Sequence, residues 1–130
     1  MKILLIEDDL DDIELLQDAL TSRNVQYKIQ TIKDGEDAIE YIRGNQDLPD
    51  IIILDFNLPK VHGREVILEV KSDHSFRDVP LLILTTSSAK EDIAYAYAHG
   101  ADQYIVKPTS VEKMNEMVDS IVELSRKNNN

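Results

Sequence analysis

Two short runs, IIIL at 51–54 and LLIL at 81–84, are apolar at every position. Successive side chains of a strand point to opposite faces, so a run without alternation must be covered on both sides. Such strands sit in the middle of a parallel sheet, where neighbours are joined by long crossovers, as a rule helices. The chain supplies those crossovers. Strand-like KILLI (2–6), YKIQTI (27–32), DIIIL (50–54), VPLLIL (79–84) and QYIV (103–106) alternate with helical stretches over 10–22, 34–44, 64–73, 89–100 and 110–126. Helical spacing turns Leu10, Ile13, Leu16 and Leu20 inward in the first helix, and Ala38, Ile39 and Ile42 in the second. In the last helix it selects Val111, Met114, Val118 and Ile121. In the fourth, Ala94 and Ala98 are small enough to lie flat on the sheet, which leaves Ile93 and Tyr97 exposed. Five strand–helix units in 130 residues predict one α/β domain, a five-stranded parallel sheet with five helices on both faces.

Charge and composition remove whole classes of function. There is no cysteine, hence no disulfide, thiolate nucleophile or sulfur-ligated metal. Twenty-five acids against fourteen bases give a net charge of −11, which would repel nucleic-acid phosphates, so no direct nucleic-acid binding is expected. No apolar run reaches the roughly 18 residues that span a bilayer. MKILLIED is too short and too soon acidic for a signal peptide, so no membrane association and a cytoplasmic location are expected.

In open parallel sheets, ligands sit beyond the carboxyl ends of the strands. Glu7, Asp8 and Asp9 follow the first strand, Asp55 the third, Thr85 and Thr86 the fourth, Lys107 and Pro108 the fifth. Carboxylates converging there would repel one another. Mg²⁺ resolves that repulsion, since it takes oxygen ligands and leaves positions for water and phosphate oxygens. An Asp beside such a cation and a lysine is a competent phosphoryl acceptor, with Thr85 placed to hydrogen-bond the transferred group. Asp11 and Asp12, by contrast, read as ordinary first-turn acids favoured by the helix dipole.

The set EDD (7–9), LDFNLPKVHG around Asp55, LTTS with Thr85 and YIVKP (104–108), in this order, resembles the receiver domains of two-component response regulators. The likeness extends to the single-domain regulators of chemotaxis and those associated with phytochromes. It implies a flavodoxin-like sheet in the order 2-1-3-4-5, with residues 1–126 as the receiver domain and 127–130 as a disordered tail. It implies Asp55 as the phosphoacceptor, with Lys107 and Thr85 acting on the phosphoryl group. Glu7, Asp8, Asp55 and the backbone carbonyl of Asn57 would hold Mg²⁺. Thr85 and Tyr104 would form a switch pair, and the Lys107–Pro108 bond is expected to be cis. The implied partner is a sensor histidine kinase, of phytochrome type among others, and the implied protein is a phosphorelay component without activity on outside substrates. With no output domain read after residue 126, the signal is expected to leave through the fourth helix, fifth strand and fifth helix. Ile93, Tyr97, Met117 and Leu124 would form an apolar patch there for a symmetric homodimer or another protein. His62 and Thr86 stand where smaller or more polar residues are common in the family.

Other readings compete. A phosphatase of the haloacid-dehalogenase type would carry a second Asp two residues after the nucleophile, where this chain has Asn57. An FMN binder would need a phosphate-cradling loop after the first strand, where EDDLDD stands. A receiver-shaped interaction module, or a phosphorelay intermediate without a switched output of its own, is the remaining alternative.

Overall fold

The computed structural model describes residues 1–44 and 47–127. Five strands, β1 (Lys2–Ile6), β2 (Lys28–Ile32), β3 (Ile51–Leu54), β4 (Leu81–Thr85) and β5 (Gln103–Val106), alternate with five helices. These are α1 (Leu10–Ser22), α2 (Gly35–Gly44), α3 (Gly63–Ser72), α4 (Lys90–Ala98) and α5 (Val111–Ser125). All neighbours pair in parallel, and the order across the sheet is β2-β1-β3-β4-β5, the flavodoxin-like arrangement.

The apolar runs take the central positions. Ile53 pairs with Leu5 on one side and Leu82 on the other. Alternate residues feed two separate cores. Leu4, Ile6, Ile52, Leu54 and Ile83 pack with α2, α3 and α4 through Ile42, Val66, Ile67 and Ala96. Ile3, Leu5, Ile51, Ile53 and Leu82 pack with α1 and α5 through Leu16, Leu20, Val118 and Ile121. Each such side chain contributes about 1.5–3 kcal/mol when fully buried, so the three inner strands carry much of the hydrophobic stabilisation. Helix starts are fixed by side-chain caps: Asp9 accepts from the backbone N–H groups of Asp11 and Asp12, His62 from Arg64, and Ser110 from Lys113.

Several helix faces differ from the sequence expectation. Leu10 is exposed because it is the first residue of α1, ahead of the turn that meets the sheet. In α5 the inward stripe begins later than expected. Val111 is 75% exposed, whereas Met117 and Leu124, expected on the outer face, are only 4% and 7% exposed and belong to the core. Met117 and Leu124 share one inward stripe with Val118 and Ile121, whereas Val111, seven residues before Val118 and on nearly the same face, is exposed as the first residue of the helix. In α4 the buried residue is Ala96, while Ala94 and Ala98 face outward. At the C-terminal end, Lys127 Nζ lies 3.6 Å from Asp102 Oδ1; the rest of the expected tail, residues 128–130, lies outside the described residues.

The turn leaving β3 is tight. The Gly63 N–H donates to the Phe56 carbonyl at 2.9 Å. A Cβ at Gly63 would sit 2.5 Å from Phe56 Cα and 2.6 Å from the Asp55 carbonyl oxygen, both backbone atoms that cannot step aside. Gly63→Ala should therefore lower stability by about 1–3 kcal/mol, the scale of overpacking. Equilibrium denaturation checks this, and an unchanged midpoint would mean the segment yields more easily than its contacts suggest.

Candidate functional site

The sheet order brings the first, third, fourth and fifth strand ends side by side. The Asp55 N–H donates to the Ile6 carbonyl at 3.0 Å and the Lys107 N–H to the Thr85 carbonyl at 2.8 Å, so the ladders run on into the residues that matter. Glu7 and Asp55 are buried, Thr85 is wholly buried, and Asp8 is exposed at the rim. One carboxylate oxygen from each of Glu7, Asp8 and Asp55 lies within 4.8 Å of the other two. These are hard oxygen donors, three of them converging, and they suit a divalent cation such as Mg²⁺.

Lys107 reaches into the same cluster. Its Nζ lies 2.6 Å from Glu7 Oε1, 2.6 Å from Asp12 Oδ2 and 3.1 Å from Asp55 Oδ2. The sequence expectation of a cis Lys107–Pro108 bond, aiming the ammonium at Asp55, is corrected here. No peptide bond among the described residues is cis, and the aim is achieved with a trans bond because β5 continues its ladder to Lys107. Burial works against the Lys107 charge, but the hydrogen bonds to Asp12 and Glu7 and the Asp55 charge hold its pKa well above the usual lysine range. Burial also raises the Asp55 carboxyl, yet the Thr85 hydroxyl, the Asn57 N–H and Lys107 outweigh it and leave Asp55 below its usual range. Glu7 has fewer such partners. Burial, reinforced by the Asp55 charge, pushes it up to about 7 despite the Lys107 hydrogen bond.

The residues expected to act on or respond to this cluster are nearby. The Asn57 N–H donates to Asp55 Oδ1 at 3.1 Å, and its side-chain amide donates to both Thr85 Oγ1 and Thr86 Oγ1 at 3.4 Å. Thr86 and His62 thus have plain structural roles, one held by Asn57 and the other capping α3. Tyr104 is half-buried: its ring meets Phe56 edge-on at 6.0 Å and its hydroxyl donates to the Ser87 carbonyl at 2.8 Å. The Tyr104 N–H donates in turn to the Tyr97 hydroxyl at 2.9 Å. Ser87 is itself bound to Asp92, which pairs with Arg64 at 2.6 Å. A chain of polar contacts therefore ties Tyr104 to the starts of α3 and α4. Sequence reasoning missed Ser87, Arg64 and Asp92, and it missed Asp12 as a partner of Lys107. The expected outer patch keeps Tyr97, which is 49% exposed, and half-buried Ile93, but loses Met117 and Leu124 to the core.

The chain matches the response regulator receiver domain family over residues 3–119. It belongs to that family. The response regulator Rcp1 of Synechocystis is 32% identical over 124 residues, covering 92% of this chain and 84% of Rcp1. The phosphorylated cyanobacterial phytochrome response regulator RcpA superposes with a TM-score of 0.85 at 37% identity, covering 97% of this receiver and 94% of RcpA. The Mn²⁺-bound form of Rcp1 gives a TM-score of 0.83 at 29% identity, covering 98% and 95% of the two chains. The receiver is thus a module of two-component signalling, and no described helix is long and apolar enough to cross a membrane.

Proposed function

We propose that this receiver takes a phosphoryl group from the phosphohistidine of a sensor kinase onto Asp55 and signals by the change that follows. A carboxylate oxygen of Asp55 attacks phosphorus, the P–N bond breaks, and the imidazole leaves with the electron pair. The carrying observation is the convergence on Asp55 of the Lys107 ammonium at 3.1 Å and the oxygens of Glu7 and Asp8. Glu7, Asp8, Asp55 and the Asn57 backbone carbonyl would hold Mg²⁺, which when bound neutralises charge on the transferred oxygens. Lys107 donates a hydrogen bond from its ammonium to a phosphoryl oxygen, and Thr85 donates its hydroxyl to another. Turning Thr85 toward the phosphoryl group weakens its bond from Asn57 and alters the space beside the Tyr104 ring, which makes Thr85 and Tyr104 the switch. Chemistry is confined to the protein's own phosphorylation and dephosphorylation, with residues 1–126 acting as the receiver domain in the cytoplasm. Likeness to the phytochrome response regulator RcpA supports a kinase of phytochrome type. Incubation with acetyl phosphate and Mg²⁺ followed by intact mass should add about 80 Da, one phosphoryl group. No added mass under those conditions would leave a receiver-shaped interaction module instead.

Output is proposed through the face of α4, β5 and α5. There Tyr97 is 49% and Val106 43% exposed, beside a groove of about 480 Å³ that Tyr104, Lys113 and Glu116 help to line. A second copy of the chain is the partner proposed, in a symmetric dimer. Val106→Glu would bury a charge in that interface and should weaken self-association of the phosphorylated protein about tenfold, some 1.4 kcal/mol. Sedimentation decides this: a wild type that stays monomeric when phosphorylated removes the dimer.

A further inference from the structure

The Lys107 ammonium has three N–H donors and three carboxylate partners, so its hydrogen-bonding capacity is filled. Two of those partners, Glu7 and Asp55, also belong to the converging carboxylate cluster; Asp12 does not. Asp12 comes from the first turn of α1, 95 residues from Lys107, and its side chain is one-third exposed. It is not needed to start the helix, because Asp9 caps that end. A cation in the cluster and the Lys107 ammonium must share Glu7 and Asp55. A carboxylate that holds the ammonium from outside the cluster alters that competition.

We propose that Asp12 is a positioning residue that draws Lys107 toward α1 and so frees Glu7 and Asp55 to take a divalent cation. The inference rests on the phosphoacceptor reading above and concerns how that site is set, not whether it exists. With Asp12 present, the ammonium divides its bonds among three carboxylates. Without it, Glu7 and Asp55 alone must satisfy Lys107, and a cation has to displace a stronger pairing. Asp12 acts in this way only through Lys107.

The test is Mg²⁺ affinity by calorimetry, with the Asn57 backbone amide shift as a second readout of the same titration. Asp12→Asn should weaken Mg²⁺ about fivefold, the upper range for a partly exposed ion pair. Asp11→Asn removes the same charge from the same turn and should have a much smaller effect, and Asp12→Glu should restore most of the affinity. In a Lys107→Met background, Asp12→Asn should do no more than Asp11→Asn. Equal or tighter binding by Asp12→Asn overturns the proposal, as does an equal loss in Asp11→Asn or a loss that persists without Lys107. A wild type that binds no Mg²⁺ at all would instead remove the metal reading itself, and this inference with it.

Discussion

Asp55→Asn should take no phosphoryl group from acetyl phosphate under conditions that label the wild type, a loss limited only by detection. The reason lies in what each neighbour can offer. Asp8 is exposed and the Asp12 carboxylate is bound to Lys107, whereas Asp55 alone is both buried and in contact with Thr85, Asn57 and Lys107 together. An acyl phosphate forms only where the acceptor oxygen is ionised and the incoming charge is met by fixed donors. The hydrogen bonds that hold the Asp55 carboxyl below its usual range keep it in the nucleophilic form at neutral pH. Glu7 is displaced in the opposite direction and is a poorer nucleophile near pH 7. The amide that the substitution introduces matches the carboxylate in shape but has no charge to attack with. Intact mass and peptide mapping check the result. A variant labelled as fully as the wild type would move the acceptor elsewhere, Glu7 and Asp8 being next in line.

The fold was legible because two separate signals agreed. IIIL and LLIL have the length and unbroken apolarity of strands covered on both faces, and the helices between them have the length that parallel crossovers require. The site was legible for a related reason. Parallel strands deliver their C-terminal residues to one edge, so chain order alone groups Glu7, Asp8, Asp55, Thr85 and Lys107. Helix faces were harder. In α4 the run AYAYA alternates with a period of two, so a period of 3.6 cannot say which alanine faces the sheet, and it is Ala96. In α5, VEKMNEMVDSIVEL carries more apolar residues than one stripe holds, and counting from Val111 sent Met117 and Leu124 outward when both are core. The Asp12–Lys107 pair left no local trace. First-turn acids are common for dipole reasons alone, and only the folded chain shows that this one meets a lysine 95 residues away.

Glu7 gives the metal-free protein an unusual dependence of stability on pH. Its pKa rises from the ordinary 4.5 to about 7, chiefly through burial. A carboxyl with a raised folded pKa favours folding while it is protonated. Its contribution is complete below about pH 4.5, declines as pH passes the unfolded value, and is gone once pH exceeds about 7. A shift of that size corresponds to about 3 kcal/mol as an upper bound, at 1.36 kcal/mol for each pH unit. Asp55 acts in the other direction, but its contribution is lost only below the ordinary carboxylate range, near pH 4, so the two windows separate. Lys107, raised above its usual range, does not change charge between pH 5 and 8. Metal-free protein should therefore lose stability between about pH 5 and pH 8 by an amount approaching 3 kcal/mol. Glu7→Gln, which keeps the shape and removes the titration, should flatten most of that slope. Mg²⁺ at saturating concentration should flatten it too, because a cation at these oxygens removes the reason to keep the proton. Denaturant unfolding at several pH values, with and without Mg²⁺, measures all three. A wild type whose stability is level or rises across this range would mean that Glu7 is ionised in the folded protein, and that Lys107 balances its charge more fully than burial opposes it.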